Sequence, residues 1–192
     1  GGWNARDMLA EMKPDEAWVM DNYIPDALGV QLRRGRAAST TGMSGSFIES
    51  LMEYNVAGSS PKLFAAAPNN IYDASADGAA PAASVTGLAN GRFQHTMFAT
   101  AGGNFLICCN GGDNVQSYNG SAWSEPAITG VTPSTLINVC SHLSRLWFIR
   151  QSTLKVYYLA TQAIAGAVTE IDLAPICKRG GELIAMASWS RD

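Results

Sequence analysis

The feature that most constrains this chain is a repeat. Strand-like segments at 62–66, 104–108 and 145–149 begin 42 and 41 residues apart, and a near-constant period of roughly 20–50 residues marks an array of like units rather than one irregular fold. Each segment is preceded by a shorter strand-like stretch, at 50–55, 94–100 and 137–142. Each is also followed by a third stretch, at 70–73, 114–118 and 154–158, with an aromatic near its end. The connections Ala67-Pro68-Asn69, Asn110-Gly111-Gly112-Asp113 and Gln151-Ser152-Thr153 are rich in residues that tolerate tight turns. A weaker fourth strand fits 83–86, 123–128 and 169–173, where Pro126 confines the second example to a sheet edge.

Four antiparallel strands every forty-odd residues predict an all-β chain built as a partial β-propeller of four-stranded blades. The units fall at about 47–88, 89–131 and 132–182, a further blade starts at 183–192, and an N-terminal arm or contact segment covers 1–46. A β-sandwich or barrel made from the same strands is the competing architecture. A propeller closes with about four to eight blades, so three blades and one strand are expected to be the front of a longer polypeptide. The opening Gly1-Gly2-Trp3, with no initiator Met, fits a trimmed or internal start.

Composition agrees with short strands and tight turns. Charged residues are 15% of the 192, and 19 glycines help fill the deficit, which argues against coiled coils, long-helix bundles and disordered tails. A formal net charge of −3 supplies no whole-chain basic field for wrapping the outside of a nucleic acid. No apolar run approaches the roughly 18 residues of a membrane helix.

Within the arm, Ala5, Met8, Leu9 and Met12 recur at helical spacing and predict a short helix over 4–12, ended by Pro14. Segment 16–25 reads as a short helix or an extended arm, 30–35 as a strand, and 37–46 as a loop.

No residue constellation points to catalysis, and the chain is expected not to be an enzyme and to need no cofactor or metal. His95 and His142 occupy equivalent first strands and lack the partners that acid–base chemistry requires, so they are expected to satisfy backbone groups around a channel. Glu53, Asp73, Asp113 and Asp172 lie at strand ends or turns, where carboxylates cap the local backbone, and no spacing selects a pair. Cys108 and Cys109, adjacent on a strand, point to opposite faces and cannot share an ion. With Cys140 and Cys177 they are expected to be four buried thiols. The densest positive charge is Arg33-Arg34-Gly35-Arg36, which suits phosphate contact, an interface ion pair or a solvated sheet edge. Lys178-Arg179 is a smaller basic spot.

The stretches Gly1-Gly2-Trp3-Asn4-Ala5-Arg6-Asp7, Met12-Lys13-Pro14-Asp15-Glu16-Ala17, Asp21-Asn22-Tyr23-Ile24-Pro25 and Leu32-Arg33-Arg34-Gly35 resemble the opening of tail and head–tail connector proteins of tailed bacteriophages and prophages. Leu51-Met52-Glu53-Tyr54-Asn55, Leu63-Phe64-Ala65-Ala66 and Arg145-Leu146-Trp147-Phe148 fit the same pattern. The nearest functional relatives in kind are the β-propeller tail nozzle, or tail tubular, proteins of short-tailed phages.

That resemblance implies a non-enzymatic structural component of the virion tail, assembled in the host cytoplasm. It implies a ring of copies, six in nozzles, in contact with portal, adaptor or tail proteins and passing DNA without reading it. It transfers no catalytic residue. A weakly acidic chain suits such a channel, because every phosphate neutralised by Lys or Arg adds affinity. Candidate contacts with other subunits or the DNA channel are Trp3, Trp18, Tyr23, Arg33, Arg34 and Arg36, the aromatics because they dominate interface cores. Two other classes remain open: a carbohydrate-binding or glycan-processing propeller, using aromatics such as Trp123 and Trp147 to stack on sugars, and a protein-interaction platform.

Overall fold

A computed structural model describes residues 2–4, 6–8, 10–13, 16–17, 19, 21, 23–26, 29–33, 37–45 and 47–189. The chain is all-β and divides into two compact units, Gly1–Ala38 and Ser39–Asp192.

In the first unit, Gly2–Trp3 pairs in parallel with Glu16–Ala17, and Tyr23–Asp26 forms an antiparallel pair with Gly29–Leu32. The helix expected over 4–12 is not formed by its described residues. The Asn4 carboxamide oxygen instead accepts the backbone N–H groups of Arg6 and Asp7 at 3.1 and 3.2 Å, while its amide nitrogen donates to Asp7 and, at 2.8 Å, to Glu16. A short polar side chain that bonds its own backbone competes with the helical ladder. Here it folds the chain back, so that Glu16 comes alongside Gly2.

The second unit holds three four-stranded antiparallel sheets, each formed in chain order by consecutive strands except where a two-residue strand intervenes. Sheet 1 comprises Ser50–Tyr54, Lys62–Ala67, Asn70–Asp73 and Val85–Thr86. Sheet 2 comprises Gln94–Thr100, Gly103–Cys109, Gln116–Tyr118 and Trp123–Ser124. Sheet 3 comprises Leu136–His142, Arg145–Arg150, Lys155–Tyr158 and Thr169–Asp172. The second strands are apolar nearly throughout because each is flanked by strands and covered on its faces, the sequence pattern of a strand buried on both sides.

Alternation along the second strand of sheet 2 divides the core in two. Leu106 and Cys108 face sheet 1, where they join Met52, Tyr54, Phe64, Ala66 and Ile71. Phe105, Ile107 and Cys109 face sheet 3, against Leu146, Phe148 and Tyr157. The adjacent thiols do point to opposite faces, as successive strand residues must. Cys108 and Cys109 are buried, but Cys140 and Cys177 are only half-buried, which corrects the expectation of four buried thiols.

Two short parallel pairs tie segments outside the meanders together. Thr40–Thr41 pairs with Gly78–Ala79, and Ile128–Thr129 with Gly166–Ala167. The same hydrogen bonds flank both: Gly78 N–H to Ser39 O and Ala80 N–H to Thr41 O in one, Gly166 N–H to Ala127 O and Val168 N–H to Thr129 O in the other. Segment 37–46 therefore contains a strand rather than only a loop. Likewise the fourth strand of sheet 2 stops at Ser124, because Pro126 offers no N–H and Ile128 is drawn to Gly166.

Candidate functional site

Among the described residues, a polar cleft lies at the end of sheets 2 and 3 that carries the turns between their second and third strands. A cleft of about 410 Å³ is lined there by Asn90, Arg92, Asn110, Gly111, Gln151 and Glu182, with Ile137 and Ile184 as apolar walls.

Much of this polar lining is engaged in holding the turns. The Asn110 carboxamide oxygen accepts the N–H groups of Gly112 and Asp113, and its nitrogen donates to Asn90 O at 3.0 Å and to the Asp113 carboxylate at 2.6 Å. Asp113 also accepts Ala89 N–H at 2.8 Å. Gly111 allows this close packing: its φ is +70°, and a Cβ there would meet Ile137 Cγ2 at 2.6 Å. Arg92 donates from Nε to Glu49 at 3.0 Å, and the Gly91 N–H donates to the same carboxylate at 2.6 Å. The Gly91 N–H and the Arg92 guanidinium together lower the Glu49 pKa. Among the described residues, the side chains of Gln151, Ser152 and Glu182 have no hydrogen-bond partner, leaving two neutral groups and one carboxylate open to the cleft.

The carboxylates singled out by sequence serve local structure. Asp73 pairs with Lys62 at 2.7 Å. Burial pushes the Asp73 pKa up, but the Lys62 ammonium and the Ser75 hydroxyl outweigh it, and the net direction is down. Asp172 accepts Ala174 N–H, and Glu53 accepts from Asn55. Burial raises the pKa of both Cys108 and Cys109, so neither is a ready nucleophile. Among the described residues, no group of three His, Cys, Asp or Glu side chains is placed to hold a metal ion.

Among the described residues, no backbone group is bonded by either histidine ring. His142 Nδ1 meets Ser188 Oγ at 2.8 Å, and it is the His142 carbonyl that accepts a bond, from Trp147 Nε1. A hydroxyl brought close by the later chain outcompetes the backbone, which is already paired in the sheet. Desolvation lowers the His95 pKa against the opposing charge of Glu53.

The two tryptophans proposed as sugar platforms are committed elsewhere. Trp123 is 4.9 Å from Phe64 and 5.3 Å from Tyr118, ring centre to ring centre, inside an aromatic group between sheets 1 and 2 that also includes Tyr54. Its Nε1 is buried without a partner among the described residues. Trp147 lies 4.7 Å from Tyr158 on the far face of sheet 3, and the Arg145 guanidinium sits 5.3 Å over the Tyr158 ring.

Of the expected contact residues, Trp3 lies in the parallel strand pair, Tyr23 is 50% exposed at the open end of the hairpin, and Arg33 is exposed just beyond that end. Trp18, Arg34 and Arg36 lie outside the described residues. The hairpin brings Tyr23 opposite Leu32 and hence near Arg33, whereas Trp3 belongs to a separate strand pair. The cleft escaped the sequence reading because its walls come from two linkers and two turns; the cue was Asn or Gln recurring in successive turns, at 110 and 151.

Comparison of the chain with protein-family models, with curated proteins and with solved structures gives no match. No helix of the described residues is long and apolar enough to cross a membrane.

Proposed function

We propose that the three sheets are blades of a β-propeller and that the chain is a structural, non-enzymatic component of a phage or prophage tail or head–tail connector. The observation that carries the blade reading is the seam geometry. Successive sheets stack face to face, and the first strands of sheets 2 and 3 run against each other across the seam, as strands nearest a common axis do. Such a body offers a wall in which Asp73, Asp113 and Asp172 hold local structure and Cys108 and Cys109 are buried, which suits an architectural part. The tail assignment rests on the resemblance of the opening segment, with Tyr23 and Arg33 as candidate contact residues toward other copies or neighbouring tail proteins in a nozzle-like ring.

Purified particles from the producing host test this directly. Mass spectrometry and electron microscopy are expected to place the chain in the tail or connector as a ring; particles that lack it would overturn the reading.

Glycan binding is the second reading, favoured by one observation: the open Gln151, Ser152 and Glu182 side chains in the cleft can hydrogen-bond hydroxyl groups. Binding on a glycan array that is lost in Gln151→Ala would support it, and a silent array would remove it.

A further inference from the structure

Three Asn-Gly pairs punctuate the second unit, at Asn90-Gly91, Asn110-Gly111 and Asn119-Gly120. Such a pair is chemically vulnerable, because the glycine nitrogen can attack the preceding carboxamide carbon and no side chain shields it. The fold treats the three nitrogens differently. Gly91 N–H donates to the Glu49 carboxylate at 2.6 Å, and Gly111 N–H donates to Leu136 O at 2.9 Å. Removing either proton forfeits a hydrogen bond and leaves an amide anion against an oxygen. Gly91 is also buried, and Asn110 is 9% exposed, with its side-chain nitrogen donating to Asn90 O and to Asp113. By contrast, Gly120 N–H has no acceptor among the described residues. Asn119 and Gly120 are exposed in the turn that joins the third and fourth strands of sheet 2.

The Asn119 carboxamide is also primed at its oxygen. Oδ1 accepts the backbone N–H groups of Ser121 and Ala122, both at 2.9 Å. This side-chain turn holds the carboxamide over the chain that follows it. Two fixed donors favour the negative charge that develops on a carbonyl oxygen under attack. Nδ2, the leaving group, has no acceptor among the described residues. Asn110 has the same two kinds of donor, the N–H groups of Gly112 and Asp113, so the glycine nitrogen and the leaving group are what separate the two sites.

We propose that Asn119 is a site of spontaneous deamidation and isoaspartate formation, and that the fold spares Asn90 and Asn110. Hydroxide takes the Gly120 N–H proton, and the nitrogen attacks Asn119 Cγ. The new N–Cγ bond closes a cyclic imide as the Cγ–Nδ2 bond breaks, and Nδ2 leaves as ammonia with a proton from water, which restores hydroxide. Water then opens either imide bond, giving aspartate or, with the main chain routed through the side-chain carbon, isoaspartate. The sum is one water consumed and one ammonia released, with no change of oxidation state. The product reaches the core. A Cβ on Gly120 would meet the Tyr54 hydroxyl at 2.8 Å, so this turn rests on the aromatic group between sheets 1 and 2. Isoaspartate lengthens the backbone there by one carbon and adds a carboxylate, which unseats the turn from Tyr54. The proposal rests on neither the blade reading nor the virion reading.

The whole chain is held at mildly alkaline pH and digested at intervals. The three Asn-Gly peptides are followed by mass spectrometry, with isoaspartate methyltransferase labelling to distinguish the two products. Asn119 is expected to react roughly tenfold or more faster than Asn90 and Asn110, which wait for local opening. In urea concentrated enough to unfold the chain, the three rates are expected to converge. Asn90 or Asn110 keeping pace with Asn119 in the folded chain overturns the proposal. So does a difference that persists in urea, which would assign the selectivity to flanking sequence rather than to the fold.

Discussion

The two seams of the central sheet are built from different materials. Between sheets 1 and 2 a group of paired rings joins Met52, Ile71 and Leu106. Phe64 and Tyr118 meet edge-on with centres 4.7 Å apart, Tyr54 and Tyr118 at 5.2 Å and nearly perpendicular. Between sheets 2 and 3 the rings of Phe98, Phe105, Phe148 and Tyr157 are dispersed among Ile107, Val115, Leu136, Val139, Leu146 and Leu159, with no ring pair among the described residues. Aromatic pairs add about 0.5–1.5 kcal/mol beyond area burial and favour particular angles, whereas unpaired rings and aliphatic side chains depend on area and close fit. One strand serves both seams because consecutive residues face opposite ways. Cys108 therefore reports on the aromatic seam of paired rings and Cys109 on the other.

The largest effects come from emptying a seam. Phe64→Ala and Phe148→Ala are each expected to cost about 3–5 kcal/mol in denaturant unfolding. Phe64→Ala should be the worse of the two, since it also removes two edge-on pairs; equal costs would mean that the aromatic geometry adds nothing.

Next come the joints. Gly91 packs so tightly that a Cβ would meet Ala67 O at 2.5 Å, and backbone cannot easily yield. Gly91→Ala is expected to destabilise by about 1–3 kcal/mol. At Gly111 the obstructing atom is the branched Cγ2 methyl of Ile137, which is stiff at χ1, so Gly111→Ala adds that clash to a positive φ that by itself costs about 1–2 kcal/mol. A thermal-melt comparison separates the two joints.

A change in the opposite direction is available at the hairpin of sheet 3. Leu143 and Ser144 both hold positive φ, 48° and 56°, where Asn-Gly is the favoured pair. The double change Leu143→Asn, Ser144→Gly should stabilise by about 1 kcal/mol, read as a higher melting temperature.

The smallest effect is ionic and belongs to the aromatic seam. Lys62 pairs with Asp73 beside Tyr118, and the Asp73 pKa is lowered in the folded chain. A lowered carboxyl pKa contributes stability that is present above the unfolded value near 3.8 and is lost as pH falls through the folded value. Both side chains are partly exposed, so screening holds the contribution below about 1 kcal/mol. Asp73→Asn should flatten the fall in urea midpoint below about pH 4; an unchanged slope would assign the acid sensitivity to other carboxylates.

The meanders were legible from sequence because their signals are local and repeated. Gln94–Thr100 and Asn70–Asp73 match their expected bounds because each is closed by a tight turn and lies beside a second strand of the repeat. The parallel pairs were not legible. Two residues carry no periodicity, and only the equal separation of Thr40 from Gly78 and of Ile128 from Gly166, with Gly-Ala in both, marks them. The described residues of 4–12 depart from the helical spacing of Ala5, Met8, Leu9 and Met12 because Asn4 bonds its own backbone, which spacing does not reveal. Of the candidate site, Asn110 rather than Asp113 caps the backbone of its turn while Asp113 reaches Ala89 N–H in the linker, and the cleft requires segments far apart in sequence to converge.

Alkylation of the adjacent thiols tests the two-seam account most directly, in a background where Cys140 and Cys177 are replaced by alanine. Phe64→Ala should speed labelling of Cys108 while Cys109 stays slow, and Phe148→Ala should do the reverse. If both thiols respond together to either change, the central sheet does not separate two independent seams, and the stacked-sheet account is contradicted.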